Sequence, residues 1–294
     1  MDYQQLLLAL LPDLLVVVAL FAALGVDYSR MRGSRLAERF QVACQISAAG
    51  LIAGLAVILV QLTQASSFKA LASITDGQLV LDTSTLTLKA LLYAMGLGVL
   101  PLAKRDQITP QVSEYFALLL LATLGMGFVV TSRNLLGAFV ALELVSLSLY
   151  AMTVLNQAKR ASAEAALKYL TFGAVSSGFL LFGLSYLYGA TGQLDLTQMD
   201  MQRSPMLVLA YLLIFVGLGF KLALAPFHLW APDVYQNAPT PVAGWIGSGS
   251  KIAAAALLIV LLKPVSSTLK DALVPALAAL AVLSMVVGNL GALR

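Results

Sequence analysis

The sequence predicts an all-α fold, a polytopic bundle of about nine transmembrane helices. Two observations carry this expectation. Of 294 residues, 60% are hydrophobic and only 11% are charged, whereas a soluble domain carries about 25% charged residues. The mean hydropathy is +0.90. The apolar residues also fall in runs of about 20, the length that crosses a bilayer as a helix, and most charges lie in short loops between them.

In chain order the runs cover residues 6–26, 40–62, 84–103, 112–131, 135–155, 164–188, 207–227, 242–262 and 270–292. Short connections make neighbours antiparallel. The two longest, near 63–83 and 189–206, hold Asp76, Asp82, Asp195 and Asp200. Basic residues set the orientation. With the N-terminus outside, the inner loops hold Arg30, Arg32, Arg35, Arg39, Lys104, Arg105, Lys159 and Arg160, plus Arg294 at the end. The outer loops then hold fewer: Lys69, Arg133, Arg203, Lys263 and Lys270. The N-terminus is therefore expected outside.

Several function classes are excluded. Cys44 is the one cysteine and His228 the one histidine, so no internal disulfide and no zinc or iron–sulfur ligand set is expected. No Gly-rich turn ends in Gly-Lys-Ser/Thr, the signature of a phosphate-binding loop. The net charge of +4 is spread over short loops and does not point to nucleic acid. No basic residue precedes the first run, so a cleaved signal peptide is not expected.

The informative residues are ionisable groups inside the runs. A charge at mid-bilayer costs roughly 2.5–3.5 kcal/mol, and such residues usually face protein or a water-filled cavity. Glu143 stands mid-run in "NLLGAFVALELVSLSLY", with Ser146 and Tyr150 on its face at i+3 and i+7. It reads as a structural salt bridge or as a protonatable site with a lysine partner. Lys251 stands mid-run in "GWIGSGSKIAAAALLIV"; Gly244, Gly247 and Ser248 share its face, leaving room for water or a close helix.

Lys221 opens the third case, "GFKLALAPFHLWAPDVYQNAPTP". Pro226 removes a backbone donor and clashes with the carbonyl four residues back, that of Leu222. The helix is expected to break between Lys221 and Pro232. Free carbonyls in a membrane need protein or a water-lined cavity, so such a cavity is expected beside Lys221. Lys168, early in its run, reads either as functional or as snorkelling to the headgroups. Lys89, near the outer end of the third run, is expected to snorkel, and Asp13, beside Pro12, to lie at the interface. His228 reads as a hydrogen-bonded structural group or as a proton relay. Proton or cation translocation is the natural reading of this set.

The same segments resemble a known family. "GFKLALAPFHLWAPDVYQNAPTPV" resembles the broken seventh helix of the antiporter-like subunits of respiratory complex I. "ALKYLTFGAVSSGFLLFGLSYLYGATGQ" is similar to the sixth-helix region of the N subunit (subunit 2 in mitochondria). The glutamate helix and the Ser250–Lys251 pair fit too, so the match runs in order over about residues 80–294. The resemblance implies an inverted-repeat fold: three N-terminal helices over 1–110, a first repeat of helices 4–8 over 111–263, and the start of a second over 264–294. It implies proton translocation by Glu143 paired with Lys168, by Lys221, and by Lys251 as the next site. NAD, FMN, iron–sulfur clusters and quinone are expected in partner subunits of the membrane-bound complex, none in this chain. Members have 13 or 14 helices. This chain ends after nine, at "MVVGNLGALR", which implies a fragment or a truncated product. The competing readings are a subunit of a multi-subunit cation/proton antiporter and an inactive membrane scaffold.

Overall fold

The computed structural model describes residues 3–64, 75, 77–155, 160–199 and 201–293. Lys69, Asp76, Lys159, Asp200 and Arg294 lie outside the described residues. Among those described, nine helices or helix pairs are long and apolar enough to cross a membrane, as the apolar runs predict. The chain is a multi-pass integral membrane protein.

The first three spans are α1 (Tyr3–Arg30), α2 (Leu36–Thr63) and α3 (Thr83–Asp106). The next three are α4 (Val112–Thr131), α5 (Leu135–Val154) and α6 (Arg160–Thr191). Asp82 caps α3 in a capping box with Thr85. Burial raises the Asp82 pKa, but hydrogen bonds from Ser84 and Thr85 outweigh it and hold the carboxyl below its usual range. Asp195, in the other long loop, caps the short 3-10 helix Leu196–Gln198. The two loop carboxylates are thus structural caps.

α4 is the central helix, with most of its residues buried. Its sequence is apolar all round, which suits a helix with protein on every side. α1, α2 and α3 pack on one flank, α5 on another, and α6 continues from α5 to α7 (Pro205–Leu222). Small residues bring α6 and α7 together: a Cβ on Gly217 would lie 2.6 Å from that of Leu180, and one on Gly183 would lie 2.7 Å from the Ala210 carbonyl.

The seventh span breaks as expected. α7 (Pro205–Leu222) stops five residues before the apolar run does. Ala223 takes a left-handed conformation (φ 57°), and α8 (Trp230–Asn237) begins only after the turn that holds Pro226 and His228. Two backbone groups around the break find side-chain partners. Trp230 Nε1 donates to the Phe220 carbonyl at 3.1 Å. Ser284 of α11 (Ser267–Ala292) accepts from the Ala225 amide at 3.0 Å.

The eighth span is also interrupted, which the uniform run over 242–262 did not predict. It consists of α9 (Thr240–Gly247) and α10 (Gly249–Leu262), with Ser248 between them at φ −119°, ψ −79°. Ser248 and Ser250 both donate back to carbonyls four residues earlier, a pattern that bends helices. The kink lies just ahead of Lys251.

Candidate functional site

The end of α7 meets the middle of α5. Lys221 occupies the last turn of α7, where the carbonyl end of the helix dipole favours a cation. Its Nζ lies 3.5 Å from Glu143 Oε1, with side chains 8% and 24% exposed. Nζ also donates to Ser146 Oγ, and to Tyr150 OH at 3.4 Å. The face read from the sequence is therefore the face that receives the lysine. Tyr150 OH is seated against Gly173 of α6, where a Cβ would clash with it. A second donor holds the carboxylate: Ser177 Oγ of α6 donates to the same Glu143 Oε1 at 2.6 Å.

The expected Glu143–Lys168 pair does not form. Lys168 binds Asp233 of α8 at 2.7 Å and Glu164 at 2.9 Å, and its side chain is 42% exposed. The reason is helical geometry. Ser177, which faces Glu143, lies about two and a half turns beyond Lys168 on α6, hence on the opposite side. Lysine and glutamate are separated by half a rotation and several turns of rise.

Two further expectations are corrected. Lys89 does not snorkel and Asp13 is not interfacial. Lys89 Nζ binds Asp13 Oδ2 at 2.6 Å, with side chains 1% and 4% exposed. Tyr93 OH donates to Asp13 Oδ1 at 2.8 Å. α1 runs unbroken through Pro12, which puts Asp13 about 15 Å inside the helix at 1.5 Å per residue. With a counter-ion at its own depth, the lysine has no reason to reach the surface.

Lys251, in the first turn of α10, packs its Nζ 5.6 Å from the centre of the Tyr235 ring. No described ion pair compensates it. His228 lies in the turn of the broken span. Its Nδ1 is buried without a described hydrogen-bond partner, and no described contact joins it to Lys221 or Lys251. The cavity at the break, about 380 Å³, is apolar. Phe172, Phe179, Phe227 and Trp230 line it, with Ser176 as its polar member, and Lys221 is not on its wall. The expected polar cavity beside Lys221 is replaced by serine and tyrosine hydroxyls. Sequence reasoning missed Ser177 and Asp233. Asp233 carried a readable signal, a carboxylate a few residues past the break.

The fold and site define a polytopic membrane protein with a carboxylate–lysine pair inside the bundle, at the end of an interrupted span. A family model for "NADH:quinone oxidoreductase/Mrp antiporter, TM" matches residues 132–294, and the chain belongs to that family. It is 43% identical, over 99% of its length, to NADH-quinone oxidoreductase subunit N 2 of Acidobacterium capsulatum, covering 62% of that protein. It is 40% identical to subunit N of Alkalilimnicola ehrlichii over 74% of this chain and 46% of the relative. The chain thus spans about half to three-fifths of the length of these relatives. A chain of respiratory complex I from Thermus thermophilus superposes with a TM-score of 0.79 at 34% identity, over 96% of this chain and 58% of that one. A chain of the Mrp complex from Dietzia sp. shares the fold, with a TM-score of 0.62 at 22% identity over 89% of this chain and 49% of that one.

Proposed function

We propose that this chain is a proton-translocating membrane-arm subunit of an NADH:quinone oxidoreductase in a bacterial inner membrane, with its N-terminus outside. The carrying observation is the Glu143–Lys221 pair at the broken seventh span. Residues 111–263 form the first repeat and 264–294 begin the second. NADH, flavin, iron–sulfur and quinone chemistry belongs to partner subunits; this chain is a translocase part without a redox centre. The 43% identity to a subunit N relative, against 22% to the Mrp chain, favours this reading over a cation/proton antiporter subunit.

In this structure Glu143 is the counter-charge of the Lys221 ammonium, and low dielectric strengthens the attraction. Movement of Glu143 away from Lys221 strips the lysine of its counter-charge, and the amine releases its proton. The proton passes on toward Lys251, with His228 as a relay in the turn between them. Return of Glu143 reloads Lys221. Ser146 and Tyr150 hold the amine in place through the cycle. The test is proton pumping by the complex in proteoliposomes. Lys221→Ala lowers the proton-to-electron ratio while assembly persists. Lys221→Arg lowers it too, because arginine keeps its proton. Wild-type ratios in both variants would take Lys221 off the path.

A further inference from the structure

Lys168 is spoken for by a residue that the sequence reading gave no role. Asp233 Oδ2 sits 2.7 Å from Lys168 Nζ, with Glu164 at 2.9 Å on the other side. Asp233 lies in the first turn of α8, the second half of the broken span. α6 holds both halves of that span. Ser176 Oγ donates to the Gly217 carbonyl of α7 at 2.9 Å. Ser162 Oγ donates to the Asn237 carbonyl at the far end of α8 at 2.7 Å. Asn237 Nδ2 in turn donates to the Asp233 carbonyl at 2.9 Å. A ring stack runs through the same contact: Tyr169, next to Lys168, lies 4.5 Å from Trp230 and nearly parallel to it. Trp230 is 6.1 Å from Tyr235, whose ring carries the Lys251 ammonium.

We propose that Asp233 is a positioning residue for proton transfer. Its ion pair with Lys168 docks α8 on α6 and so fixes Tyr235, and through it the Lys251 ammonium, relative to Lys221. An eight-residue half-helix is too short to hold itself in place by its own hydrogen bonds. It is anchored at one end by the Trp230–Phe220 bond and at the other by Ser162. Asp233 and Lys168 supply the one ion pair described between α6 and α8. The role of Lys168 is then to hold the second half of the broken span and not to pair with Glu143.

This inference rests on the proposed pumping function, and its test is run beside Lys221→Ala in the assembled complex. Asp233→Asn lowers the initial rate of proton uptake by about twofold, the scale on which a half-exposed ion pair shifts a local equilibrium, while quinone reduction continues. Lys168→Gln gives the same deficit, and Asp233→Glu pumps normally. The charge exchange Lys168→Asp with Asp233→Lys restores uptake, because the pair is rebuilt with opposite polarity. Wild-type uptake in Asp233→Asn overturns the proposal. So does an assembled charge exchange that pumps no better than the single variants. If Asp233→Asn fails to assemble, the charge exchange and Lys168→Gln decide by the same criteria. If Lys221→Ala pumps normally, the functional reading has failed; if only Lys221→Ala loses pumping, the docking role alone has failed.

Discussion

Lys89 and Asp13 show what a buried charge does when its partner is on another helix. Each is almost fully enclosed, and their salt bridge is completed by the Tyr93 hydroxyl. Lys89 Nζ also lies 5.8 Å from the centre of the Phe128 ring on α4. The pair therefore ties α1 to α3 and faces the central helix. Breaking such a pair leaves one charge unpaired in low dielectric and costs about 3–5 kcal/mol, whereas replacing both groups by apolar residues of similar size is often neutral. Thermal unfolding in detergent, followed by circular dichroism, should show a large drop for Asp13→Ala or Lys89→Ala alone. Asp13→Leu combined with Lys89→Met and Tyr93→Phe, which removes the hydroxyl that would lose its acceptor, should stay close to wild type. A triple variant as unstable as the singles would mean that the pair does more than neutralise itself. The sequence placed both residues within apolar runs, with Asp13 read as interfacial and Lys89 as snorkelling; their pairing was not legible, because 76 residues separate them and no local periodicity relates them. The Glu143 face was legible for the opposite reason: Ser146 and Tyr150 share its helix, so i+3 and i+7 spacing suffices.

At the scale of elements, the broken seventh span was legible because proline acts locally. It removes a donor and obstructs the carbonyl behind it. What the break opens onto was not legible, since that depends on neighbours. Trp230 fills this role: its indole N–H satisfies the Phe220 carbonyl while its ring stacks on Tyr169 and lies 5.0 Å from the Phe220 ring. Trp230→Phe keeps a stacking ring and removes the donor. The Phe220 carbonyl keeps the Ala223 amide as a partner, so the loss is that of one hydrogen bond, about 0.5–1.5 kcal/mol, read as a lower unfolding temperature. A conservative aromatic change without any loss of stability would show that the carbonyl finds another partner. The kink at Ser248 escaped notice for a related reason. No proline marks it, and two serine hydroxyls bonded back to their own helix leave no break in an otherwise apolar run.

At the scale of the whole molecule, the proposed N-terminus-outside orientation rests on the charge count of the loops. Among the outer-loop basic residues, Arg133 is buried, with Nη1 donating to the Val130 and Ser132 carbonyls at 3.0 and 2.9 Å. Burial lowers its pKa, with the nearby Asp82 charge opposing. A cation so enclosed by protein contributes less to the surface of its loop than an exposed one. In the first loop, proposed to lie inside, Arg30, Arg32 and Arg35 are exposed, while Arg39 is paired with Asp27. The N-terminus-outside arrangement predicts which loops a membrane-impermeant thiol reagent reaches. With Cys44 replaced by serine, Gly33→Cys reports on the first loop; a Cβ there meets nothing within 4 Å. Gln193→Cys reports on the loop after α6, where the residue is exposed. In right-side-out vesicles Gln193→Cys should label at once and Gly33→Cys only after the membrane is opened. The reverse pattern would turn the molecule over. The side of the membrane that the Lys168–Asp233 cluster faces would then change as well, because it lies toward the Arg160 end of α6, whose loop is inside only if the first loop is.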